Sequence, residues 1–225
     1  MTVTTVVFCA LTVSLGNWQL RRAAEKEAAQ AQREARTRAA PVDLPKHRVQ
    51  GEAWEWRRVV VRGKFIGERT IFLDNRTRAG HAGYEVVTPL RIEGSDLSVL
   101  VNRGWIAQGP SRSELPAVRT PSGTVRLEGV AVVPPTQVFE LGDPAATGRV
   151  WPHLDLARYT SWSELPLQPV VVVQTSETDD GLLRRWAPSE SGAARNTAYA
   201  VQWYIFALLA AILYVALNLK RSPNG

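Results

Sequence analysis

The sequence predicts an α+β membrane protein in which two transmembrane helices flank a mainly antiparallel β-sheet or partly closed β-barrel domain. Three observations predict it. Residues 197–219, TAYAVQWYIFALLAAILYVALNL, contain no charged side chain and are followed at once by Lys220 and Arg221. Residues 3–20, VTTVVFCALTVSLGNWQL, form a second uncharged stretch. Between them, from residue 57 to 174, short runs rich in Val, Ile and aromatics alternate with turn residues.

The first stretch reads as a transmembrane helix over residues 1–20. A secretory signal peptide has an apolar centre of this kind, but no basic residue precedes the run and no small-x-small cleavage site follows it before Arg21. Residues 18–40 lack Gly and Pro and are rich in Ala, Glu, Gln and Arg, all good helix formers. Arg21 with Glu25, and Glu34 with Arg38, sit four apart, where opposite charges meet on a helix surface. The helix is therefore expected to leave the membrane as a stalk and stop at Pro41, with residues 21–55 forming stalk and linker.

The β-rich domain is expected over 56–180. Its strand candidates are 57–65, 69–75, 84–92, 97–106, 123–133 and 169–175, and Glu93, Gly94, Ser95 and Asp96 read as a hairpin connection. A short helix is expected near 155–162. Residues 181–196 form a polar return linker, 197–219 the second transmembrane helix and 220–225 a tail. Twenty-three helical residues extend ~34 Å, against ~30 Å of hydrocarbon. Tyr199, Trp203 and Tyr204 suit the interfacial aromatic belt at one end of that helix.

Two spans put both termini on one side and the domain on the other. The positive-inside rule, read alone, keeps the domain in the cytoplasm, because Arg21, Arg22, Lys26, Arg33, Arg36 and Arg38 follow the first span and only Lys220 and Arg221 the second. Large domains, however, cross largely regardless of charge.

Composition narrows the function. The formal charge of +6 does not make this a nucleic-acid binder, since the arginines are interleaved with Asp and Glu and no binding motif accompanies them. The single cysteine, Cys9, lies in an apolar stretch and reads as a small hydrophobe. His47, His81 and His153 stand far apart without an HxxH or CxxC companion, so no metal site is expected. Nucleophile elbow, Walker loop and dinucleotide fingerprint are all missing, and no catalytic residue is assigned.

Six segments together carry a resemblance: LGNWQLRRAAEK (15–26), WRRVVVRGKF (56–65), AGYEVVTPL (82–90), VNRGWIAQG (101–109), WPHLDL (151–156) and AYAVQWY (198–204). In this order and spacing the chain resembles the surfeit-locus family of cytochrome c oxidase assembly factors, as a bacterial member. The resemblance implies a non-enzymatic factor in the bacterial cytoplasmic membrane, multi-pass, with both termini cytoplasmic and the central domain outside. It implies oxidase subunit I as partner, with haem a synthase beside it, in a setting of membrane lipid, and a role in haem a insertion or subunit I maturation. A membrane-tethered extracytoplasmic ligand-binding or sensor module is the alternative.

Candidate contact residues follow from the matched segments. Asn17, Trp18, Gln19 and Arg22 lie where the first helix leaves the membrane, with Trp suited to the interface and the amides to a partner helix or headgroup. Arg103 beside Trp105 reads either as a clamp for a carboxylate, on haem or on a partner, or as a surface salt bridge at a strand end. Tyr199, Gln202 and Trp203 share a helix face suited to the first helix or to the oxidase. Gly63 and Gly104 read as structural, Gly63 at a bulge or a close backbone approach. Many relatives carry a histidine three residues before the tyrosine of the second span, suited to haem iron; here that position is Asn196. No cofactor is therefore firmly assigned; haem a is the candidate that the resemblance implies, and direct ligation of its iron is not carried over from the family.

Overall fold

The helix formers that run unbroken from the first apolar stretch through the stalk produce one element, α1 (Thr2–Arg38), 37 residues long. Then follow β1 (Val42–Asp43), α2 (Gly51–Trp54), β2 (Arg58–Phe65), β3 (Ile71–Leu73), β4 (Gly83–Ile92), β5 (Ser98–Ala107), β6 (Thr124–Val132), β7 (Val150–Trp151), α3 (Leu156–Ser163), β8 (Leu167–Gln174) and α4 (Ala193–Leu219). The computed structural model describes residues 2–109, 114–134, 148–186 and 191–219. The tail with Lys220 and Arg221, and residues 187–190 of the return linker, lie outside the described residues. The chain divides into a helical unit, 1–34 with 187–225, and a β unit, 35–186. Both long helices of the helical unit are long and apolar enough to cross a membrane.

In the β unit, five strands close into a barrel. β2 pairs antiparallel with β6, β6 with β8, and β4 with β5, while β5 and β8 run parallel. Closure comes from β4 returning to β2 through Gly63–Ile92, Lys64–Arg91 and Phe65–Leu90. β1 adds to β2 at one edge, and β3 and β7 extend from β4 at the other. Alternate residues point inward along each strand, so Val59 and Val61, Leu90 and Ile92, Val99 and Val101, and Val170 and Val172 build one apolar column. The opposite faces of β5 and β8 carry Leu100 and Val171, which pack under α3 and the buried Trp151 and Tyr159.

Gly63 occupies the closing contact. A Cβ there would stand 2.0 Å from the Arg91 carbonyl oxygen, so only a bare backbone lets β2 and β4 meet. Gly94 turns the β4–β5 hairpin at φ +72°, a conformation glycine adopts without steric cost.

Residues 41–54, expected as linker, instead close one barrel end. Leu44 and Trp54 join the core. The inward-facing Gln168 amide donates to the Pro45 and His47 carbonyls and accepts from the Val49 amide. A buried amide at the end of a barrel needs such partners, and Pro45, Lys46, His47 and Arg48 conceal that role in the sequence.

α3 starts at Asp155, whose carboxylate accepts from the Arg158 amide at 3.0 Å as an N-cap. Inside this helix the Tyr159 hydroxyl donates to the Arg69 carbonyl. Burial holds its pKa well above the ordinary tyrosine value, opposed by the nearby Arg69 and Arg149. A raised folded-state pKa favours the neutral phenol in the native protein, so its stabilisation is complete below about pH 10 and is lost as pH rises beyond that. The thermal midpoint is expected to fall above pH 10 in the unmodified chain and to fall less in Tyr159→Phe; parallel slopes by circular dichroism would refute the assignment.

Candidate functional site

The seam between the long helices and the barrel end around Arg103 both hold polar groups where apolar ones are expected. Along α1, Thr5, Cys9, Thr12, Gly16, Gln19, Ala23 and Lys26 are less exposed than their neighbours. Their spacing alternates four and three, which keeps one stripe facing a partner helix. α4 answers with Ala193, Asn196, Ala200, Trp203, Ala207, Ala210 and Tyr214. The contacts run antiparallel. Thr2 and Tyr214 share a hydroxyl contact at 2.9 Å, Cys9 donates weakly to the Ala207 carbonyl, the Tyr204 hydroxyl donates to Asn17 at 2.7 Å, and Asn196 donates to Gln19 at 2.6 Å. Gly16 lets the Tyr204 ring approach α1 closely, since a Cβ there would be 2.6 Å from the ring.

Asn196 is fully engaged within this seam. Its Nδ2 donates to Gln19 and its Oδ1 accepts from the Lys26 ammonium at 2.7 Å. Two amides and a cation do not fit an iron ligand set. Among the described residues no three His, Cys, Asp or Glu side chains are grouped to hold a metal ion. The residues present therefore do not fit axial haem ligation at position 196.

The barrel end is built around Arg103. A register shift between β4 and β5 at Val86/Val87 leaves Arg103 as the extra residue of a bulge, followed by Gly104 at φ +144°. Arg103 is 0% exposed. Its guanidinium meets Asp180 at 3.0 Å, donates to the Thr120 hydroxyl and the Arg119 carbonyl, and stacks on Phe65. Asp180 also accepts from Arg184, which is as deeply buried. Burial lowers the Arg103 pKa and Arg184 adds to that, while Asp180 opposes it by charge and hydrogen bonding. Both Nε atoms of this arginine pair are buried without a hydrogen-bond partner among the described residues.

These positions correct the reading of the Arg103 segment. Arg103 is neither an exposed clamp nor a surface salt bridge, because Asp180, 77 residues later, draws it into the interior. Trp105 is likewise buried, its indole nitrogen donating to the Arg76 carbonyl and its ring covering Gly83. Gly104 leaves room for Leu182 and Leu183, whose segment pairs with Trp105. Sequence reading missed Asp180 and Arg184; the only available signal was a charged residue inside a strand pattern.

In the helical unit the candidates separate into two groups. Asn17 and Gln19 contact α4. Trp18, Tyr199 and Gln202 are exposed, and Arg22 pairs with Glu25 at 2.8 Å. Trp203 is half-buried with its ring edge-on to Phe206. The Tyr199 and Gln202 face thus points away from the seam, which Asn196, Ala200 and Tyr204 form instead.

A family model described as the SURF1 family matches residues 6–208, which take in most of α1, the barrel and the first part of α4. The chain is 26% identical over 222 residues to a SURF1-like protein of Monosiga brevicollis, covering 93% of this chain and 84% of that protein. It is 27% identical over 214 residues to a SURF1-like protein of Rickettsia felis, covering 91% of each. It is also 34% identical over 96 residues to the cytochrome oxidase assembly protein SHY1 of Saccharomyces cerevisiae, covering 42% of this chain and 25% of that protein. With a match that runs from α1 through the closed barrel into α4, the chain belongs to the SURF1 family.

Proposed function

We propose that this protein is a membrane-anchored assembly factor for cytochrome c oxidase, acting by binding and positioning rather than by catalysis. The family match across residues 6–208, with one relative named as a cytochrome oxidase assembly protein, carries the reading. Subunit I is the proposed partner, with haem a synthase beside it during haem a insertion. The chain supplies no axial ligand of its own in this proposal, because Asn196 is committed to Gln19 and Lys26. Deleting the gene is expected to lower oxidase activity and the haem a absorbance of membranes. Purification in mild detergent is expected to retrieve subunit I. Normal oxidase in the deletion strain would overturn the proposal.

The barrel is proposed to lie outside the cytoplasmic membrane, with both termini inside. Two spanning helices, one before and one after the β unit in the chain, support both termini lying on one side, and the choice of side rests on the family resemblance. A compartment-sensitive reporter inserted at Gly94 is expected to be active only outside, and one following Gly225 only in the cytoplasm. Cytoplasmic activity at Gly94 would reverse the topology and agree with the basic stalk.

A further inference from the structure

Alternation along the barrel strands puts Val59, Val61, Leu90, Ile92, Leu127 and Ala131 inside. Arg62 and Lys64 of β2, Arg91 of β4 and Arg126 of β6 therefore stand on the outer face, and all four are exposed. The register sets them against one another. Lys64 lies directly opposite Arg91, and Arg62 directly opposite Arg126. Like charges in opposed positions destabilise a sheet, and the Lys64–Arg91 pair sits in the short contact that closes the barrel. Little on the face offsets the repulsion. Arg62, Lys64 and Arg91 make no side-chain hydrogen bond or ion pair among the described residues. Arg126 meets Glu128 at 3.0 Å, but that carboxylate is shared with Arg58 at 3.5 Å. A cavity of about 890 Å³ opens beside Lys64 and Arg91 and reaches the hairpin residues Glu93 and Asp96.

We propose that this face docks an extended acidic segment of the protein under assembly, with one carboxylate held between Lys64 and Arg91 and a second between Arg62 and Arg126. That the partner is an oxidase subunit rests on the function proposed above; the docking surface rests on the register. Opposed side chains stand ~5 Å apart, so one carboxylate reaches both cations of a pair. Two residues along a strand and one strand across separate the two sites by ~8 Å, within reach of carboxylates at positions i and i+2 of an extended chain, ~7 Å apart. A lipid surface fits less well. No large apolar side chain of β2, β4 or β6 is exposed, so the face has nothing to bury among acyl chains. Glu93, whose amide donates to the Arg62 carbonyl, and Asp96 border the cations on the β4 side without pairing to them among the described residues. A broad anionic surface meets these carboxylates together with the cations, whereas a single chain laid obliquely across β2 passes them by.

The test treats the full-length protein, in membranes of growing cells, with a zero-length carbodiimide, which joins an amine to a carboxylate in contact with it. Lys64 is the reporter. The expected product links Lys64 to an oxidase subunit, at a segment whose Asp or Glu residues recur at alternate positions. Lys64→Arg keeps the charge but cannot couple, and is the control. Replacing Arg62 and Arg91 together by Gln is expected to lower the yield roughly tenfold. The urea midpoint of that double variant is expected to stay the same or rise, because repulsion is removed. Links only to Glu93 or Asp96 of the same chain, links to a second copy, a yield unchanged by the double replacement, or a lowered midpoint would overturn the docking surface. So would phosphatidylglycerol nanodiscs that raise the thermal midpoint of the unmodified protein but not of the double variant, a result that assigns the face to lipid. If oxidase still depends on the gene in those cases, the assembly role stands without this surface. If oxidase is normal in the deletion strain, the assembly role fails whatever is linked to Lys64.

Discussion

Asp180→Ala is expected to destabilise the β unit by about 3–5 kcal/mol, the cost of leaving buried charge without its partner. The carboxylate serves two guanidiniums at once, and the side chains of Arg103, Asp180 and Arg184 are each no more than 1% exposed. Removing it leaves two positive charges facing each other in the interior. Glu177, the other carboxylate near Arg184, is 3.8 Å away and largely solvated, so it screens poorly. A loss of this size is a large share of the ~5–15 kcal/mol that holds a typical domain together. Urea unfolding of the detergent-solubilised protein, followed by tryptophan fluorescence, reads the effect. Replacing Arg103, Asp180 and Arg184 together by Met, Leu and Met is expected to recover much of the loss, because an apolar cluster of similar volume carries no desolvation cost. A loss below ~1 kcal/mol in Asp180→Ala would show that the buried pair is not held as described.

The other large effect is expected at Gly63, where a single methyl group decides whether the barrel closes. In Gly63→Ala the new Cβ would lie 2.0 Å from the Arg91 carbonyl oxygen and 2.9 Å from its carbon, both backbone atoms that no rotamer change can move. β2 must then separate from β4, breaking the only pairing that joins those two strands. Overpacking typically costs about 1–3 kcal/mol and occasionally more, and the separated edges add unpaired backbone groups. Faster proteolysis and a lower urea midpoint are expected. Gly123→Ala is the control, since nothing lies within 4 Å of a Cβ at that position. Equal midpoints for the two variants would mean that closure does not depend on Gly63.

Local features of the chain made most elements legible. Uncharged length marked both membrane helices, and β-branched runs bounded by turn residues marked β2, β4, β5, β6 and β8 within two residues of their ends. The short helix expected near 155–162 is α3. Closely spaced strands with hairpin signals already implied an antiparallel sheet or partly closed barrel, because strand composition and turn chemistry act over a few residues.

Only the tertiary structure decided which distant residues meet. A lone arginine in a strand pattern reads as surface; it becomes interior because Asp180 arrives 77 residues later, at a distance in sequence that no local propensity encodes. The helix seam was hidden for a different reason: its stripe on α1 is small and polar, Thr5, Cys9, Thr12, Gly16 and Gln19, so hydrophobic periodicity does not mark it. The pairing of Asn196 with Gln19, 177 residues apart, likewise depends on α4 folding back against α1. Composition and turn residues determined the two spans and the β-rich domain between them. Barrel closure at Gly63, the burial of Arg103 and the direction in which Gln202 faces were set by non-local packing, where steric contact and the desolvation of charge outweigh local preference.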